Sequence, residues 1–62
     1  MDKNTLKQAD KWFHIHDINA FIHNASIYID IGDFELELSK EEILYRAKEY
    51  VRLKKHNLIK QK

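Results

Sequence analysis

Three histidines, His14, His16 and His23, fall within the twelve-residue stretch WFHIHDINAFIH at positions 12–23. If that stretch opens with a strand, His14 and His16 project to one side about 7 Å apart. Two imidazoles so placed can share an ion, with His23 as a third ligand. A hydrolytic metal site also needs a general base and a cleft, and 62 residues leave little chain to build walls. The plainer account makes His14 and His16 the solvated side of a strand whose other side buries Phe13 and Ile15, with Asp17 capping a following helix. No metal is assigned on this reading.

Other catalytic chemistry has less support. There is no cysteine and one glycine, so thiolate ligands, thiol nucleophiles and a glycine-rich phosphate loop are excluded. Ser26 and Ser39 are the only serines, and each has a structural use as turn residue or helix cap. Asp30, Glu35 and Glu37 resemble an acid/base array, but they fit the wet face of an antiparallel sheet equally well. The sequence is therefore read as non-enzymatic, with no cofactor and no small-molecule substrate.

These residues need elements to position them, and the clearest element is SIYIDIGDFELELS. Ile27, Ile29 and Ile31 alternate with polar residues, as do Phe34, Leu36 and Leu38, with Gly32 and Asp33 between the two runs. A two-residue loop with glycine first suits a type II′ turn. It sets Ile31 opposite Phe34, Ile29 opposite Leu36 and Ile27 opposite Leu38, so that all six side chains share one face. Ser39 and Glu42 then form a capping box, and Ile43, Leu44, Ala47, Tyr50, Val51 and Leu58 make an apolar stripe. The expected fold class is α+β: one small domain over residues 1–62, with a β-hairpin at 26–38 packed against a C-terminal amphipathic helix at 40–58.

The first third is more ambiguous. Thr5 and Gln8 offer a second capping box for a short helix carrying Leu6 and Ala9, after which residues 12–16 read as a third strand. Residues 17–25 match both periods. Helix is preferred there because it buries Phe21, which a strand would expose.

A chain of this length buries only about 60% of its unfolded surface, so its stability margin is thin and self-association would supplement it. No apolar run approaches the roughly 18 residues of a membrane span, and the first ten residues lack a signal-peptide core. A soluble, cytoplasmic protein is expected. Small size, a Lys- and Ile-rich composition and no cysteine suit an accessory protein of a mobile element or phage.

Charge is segregated. Residues 1–26 sum to zero, residues 27–45 carry six acids against Lys40, and residues 46–62 carry seven bases against Glu49. Trp12, Phe21, Tyr45 and Leu53 cannot all be buried in so small a core. Exposed aromatics beside carboxylates point to protein binding, through Trp12, Phe21, Tyr28, Asp30, Glu35, Glu37 and Tyr45. The acidic hairpin of one copy facing the basic helix of another gives a homo-oligomer. The alternative is nucleic-acid binding through Lys48, Arg52, Lys54 and Lys55, with Lys60 and Lys62 nearby.

Overall fold

Asp2 starts the first helix. Its side chain accepts from the Thr5 N–H at 2.7 Å, and that bond holds the exposed carboxyl below its ordinary pKa. From there the computed structural model, which describes residues 2–56, runs as α1 (Lys3–Ile15), β1 (Ala20–His23), β2 (Ser26–Asp30), β3 (Glu35–Glu37) and α2 (Lys40–Lys55). The sheet is antiparallel in the order β1-β2-β3, so the architecture is α+β.

The hairpin follows the register that its alternation dictates. Ile29 pairs with Leu36, and the bonds Ile31 N–H to Phe34 O (3.0 Å) and Leu38 N–H to Ile27 O (2.9 Å) extend that register in both directions. Gly32 sits at φ 103°, and its N–H is held by Asp30 Oδ1 at 2.9 Å. A Cβ at Gly32 would meet nothing within 4 Å, so any cost of substitution there is conformational rather than steric. Gly32→Val is expected to lower stability by more than about 1 kcal/mol, because a β-branched residue resists positive φ. An unchanged urea midpoint would show that the loop does not need this conformation.

Residues 12–16 are not a strand. They are the last turns of α1 and its cap, and Leu6, Ala9 and Phe13 form its buried stripe. That i, i+3, i+7 spacing overrides the brief alternation of KWFHIH, because a helix already started by Asp2 gains one hydrogen bond for each residue added. The cap is Asp2, with Thr5 as donor, rather than Thr5 itself. The helix ends in a Schellman motif: Ile18 N–H donates to Phe13 O, Asp17 N–H donates to His14 O, and Asp17 takes φ 58°. Asp17 therefore terminates one helix and does not cap another.

Residues 17–25 are likewise not helical. Ala20–His23 pairs with β2, Ile22 opposite Ile27, and Asn24 (φ 51°) and Ala25 (φ 58°) make the two-residue loop that joins the strands. Positive φ at both central positions is the type I′ requirement.

One core joins the layers. Leu6, Ala9 and Phe13 of α1 meet Ala20 and Ile27 of the sheet and Ile43 and Ala47 of α2, with Trp12, Ile18, Ile29 and Leu38 packed around them. At the start of α2, Ser39 Oγ accepts from the Glu42 N–H at 3.2 Å. This helix is described as far as Lys55, so Leu58, Lys60 and Lys62 lie outside the described residues. Among the described residues no helix is long and apolar enough to cross a membrane.

Candidate functional site

The sheet has two faces, and the pairing decides which side chains share each. Phe21, Tyr28 and Glu37 stand side by side on the face away from the helices, with His23 on β1 and with Asp30 opposite Glu35. Phe21 and Tyr28 stack with ring centroids 5.7 Å apart, and His23 approaches Tyr28 edge-on at 6.0 Å. Five of the expected binding residues, Phe21, Tyr28, Asp30, Glu35 and Glu37, are thereby brought together. Asp30 has a structural task as well: besides holding Gly32, its Oδ2 accepts from Asn19 Nδ2 at 3.4 Å.

Trp12 and Tyr45 lie elsewhere, on the helices. The Arg46 guanidinium sits 4.1 Å from the Trp12 ring centroid and 5.1 Å from that of Tyr45, and its Nε donates to Glu42 at 2.7 Å. The His16 ring stacks on Trp12 at 4.0 Å. This arrangement half-buries Trp12 and leaves Tyr45 exposed. A cation over an indole in a half-buried site contributes on the order of 1 kcal/mol. The group pins α1 to α2 rather than presenting a flat surface.

The histidines do not converge. On a helix, residues two apart differ by about 200°, so His14 and His16 diverge. His14 Nε2 lies 3.2 Å from Asp10 Oδ2, whereas His16 Nδ1 lies 2.8 Å from the Trp12 carbonyl and therefore carries the proton in that bond. His23 is on the far face of the sheet. Among the described residues no group of three or more His, Asp or Glu side chains is placed to hold a metal ion. Asp10 Oδ1 is buried and has no hydrogen-bond partner among the described residues.

Two features escape the sequence pattern. The first is the far end of the hairpin's inner face, where Ile31, Phe34 and Leu36 are 51%, 60% and 47% exposed although they continue the row that contains Ile27. Each hairpin arm spans about 13 Å from its first apolar residue to its last, and a helix covers a strip only about 10 Å wide. The helices cover Ala20, Ile27, Ile29 and Leu38 and overhang no further. Comparing strand length with helix width would have revealed the excess. Asp33 stands in the turn at the end of this bare strip, Glu35 and Glu37 project from the same arm to the opposite face, and β3 is a three-residue edge whose charges oppose indiscriminate strand pairing.

The second feature is the way α1 extends the basic end of α2. Lys7 and Lys11 of α1 join Lys54 and Lys55 of α2 around a shallow groove floored by Tyr50 and Val51, and among the described residues no carboxylate lines it. A neighbouring groove has Leu44 and Val51 at its base and Lys48, Arg52 and Lys55 along its edge. Leu44 and Val51 are 45% and 43% exposed, so two of the six residues of the apolar stripe expected to cover the hairpin instead face this groove. Within it Arg52 Nη2 binds Glu49 Oε1 at 2.8 Å; that bond lowers the Glu49 pKa and raises that of Arg52.

No family model matches this chain, and neither does any curated protein or solved structure with which it was compared.

Proposed function

We propose that this chain is a small, non-enzymatic cytoplasmic protein that works by binding another protein through its hairpin. One observation carries the reading: the apolar strip Ile31, Phe34 and Leu36 is left bare on an arm that also carries Asp33, Glu35 and Glu37. Large apolar side chains gathered at one exposed end are what an interface desolvates, and nearby charge supplies orientation. The Phe21–Tyr28 stack on the opposite face gives the same hairpin a second apolar surface.

The reading predicts that Phe34→Ser with Leu36→Ser leaves the circular dichroism spectrum and Tm close to the parent, because both side chains are already near half exposure. Capture of a stoichiometric protein partner from nuclease-treated lysate should fall at least tenfold in the same variant. Undiminished capture would remove the hairpin end from the interface.

A second reading is supported by the four-lysine groove, whose bases come from both helices. Lysines so gathered can neutralise several phosphates, and binding to duplex DNA or RNA would then weaken steeply with salt. Replacing Lys7, Lys11, Lys54 and Lys55 with glutamine should abolish such binding. Affinity that does not change with salt would exclude it.

A further inference from the structure

We infer that the occupant of the bare hairpin end is a second copy of this chain, whose helix groove of Leu44, Val51, Lys48 and Lys55 receives Ile31, Phe34 and Asp33, with Glu35 adding negative charge from the other side of the same arm. The inference rests on the hairpin being the contact surface and goes on to name what it contacts. Two surfaces of one molecule match in both respects that matter. The hairpin end is an apolar strip on an acidic arm, with Asp33 in its turn and Glu35 and Glu37 projecting from its other side, and the groove is an apolar floor edged by cationic side chains. Four large side chains, Ile31, Phe34, Leu44 and Val51, stay between 43% and 60% exposed in the single chain and would lose that exposure together.

The charges reinforce the match. The hairpin carries Asp30, Asp33, Glu35 and Glu37 and no base, and the groove is edged by Lys48, Arg52 and Lys55. Two hairpin ends, or two grooves, repel each other, whereas end against groove attracts, so the field selects one docking orientation. Lys48 and Lys55 form no ion pair among the described residues, whereas Arg52 is occupied by Glu49. The contact joins unlike patches. It closes as a two-fold pair when both copies exchange hairpin ends, and grows as a ring or chain when they do not. Either assembly uses the same residues.

Charge reversal tests the pairing directly. One variant carries Asp33→Lys and Glu35→Lys, a second carries Lys48→Glu and Lys55→Glu, and a third carries all four changes. Sedimentation velocity over a wide concentration range should show the parent above monomer mass and weakened by salt. Each double variant alone should weaken association by tenfold or more. Their equimolar mixture, and the fourfold variant by itself, should associate again, since like charges have become unlike.

Circular dichroism of each variant separates loss of association from loss of folding, and rescue in the mixture excludes misfolding outright. A parent that stays monomeric, or double variants that associate as the parent does, overturns the second copy as occupant. If the parent is monomeric but the Phe34→Ser, Leu36→Ser pair still abolishes partner capture, the hairpin reading stands and only this inference falls. A gel shift with duplex DNA that is lost in the Lys48→Glu, Lys55→Glu variant and kept in the Asp33→Lys, Glu35→Lys variant, with no self-association of the parent, assigns the groove to nucleic acid instead.

Discussion

Phe13→Ala is expected to leave the chain without a stable native state. Phe13 is 3% exposed and sits where α1, the sheet and α2 meet, so truncation removes its burial and leaves a cavity walled by three elements. Such changes cost about 3–5 kcal/mol. At roughly 0.05–0.15 kcal/mol per residue, the whole domain has only about 3–9 kcal/mol to lose. Thermal circular dichroism should show a Tm lower by at least about 12 °C, at roughly 4 °C or more per kcal/mol for a domain of this size, or no cooperative transition. Phe34→Ala is the matched control. That ring is 60% exposed, and its loss should move stability by less than about 0.5 kcal/mol. Similar melts for the two variants would contradict both the burial of Phe13 and the bareness of the hairpin end.

The second large effect has the opposite sign. Asp17 and Ala25 hold φ 58° each, in the left-handed region that L side chains resist. Glycine takes that conformation freely but adds unfolded-state entropy, so the net gain is smaller than the strain it removes. Ala25→Gly should stabilise by about 0.5–1 kcal/mol, and Asp17→Gly by less, because aspartate visits this region more readily than alanine. The two sites share no hydrogen bond and lie in separate loops, so the double variant should sum the two effects. Its Tm should rise by about 5–10 °C. A fall in Tm for Ala25→Gly would show that the turn between β1 and β2 is not type I′.

The Asn24–Ala25 turn also explains where the sequence misled. An Asn-Gly pair would have announced a hairpin, but alanine in the glycine position let residues 17–25 pass for a helix, in which Phe21 could be buried. In the structure Phe21 is half-buried against Tyr28, a cross-strand partner that no local pattern around residue 21 reveals. The third strand was expected at 12–16 and stands at Ala20–His23, because the stripe Leu6, Ala9 and Phe13 carries α1 through Phe13 and the Schellman turn at Asp17 ends it.

What the sequence determined by itself was local. Alternation and the Gly32 turn set the hairpin register, Ser39 and Glu42 set the start of α2, and charge counting separated an acidic middle from a basic end. Hydrogen bonds and side-chain periods act over a few residues, so their signatures are written in short windows. Tertiary structure decided what lies between elements. Only the docking of two helices on a small sheet leaves Ile31, Phe34 and Leu36 uncovered while burying Ile27 in the same row. Only the apposition of α1 and α2 brings Lys7 and Lys11 to Lys54 and Lys55, and turns Leu44 and Val51 into a groove floor. The reason is geometric: a side chain's period says which face it occupies, but whether that face is covered depends on the widths and lengths of elements far apart in the chain.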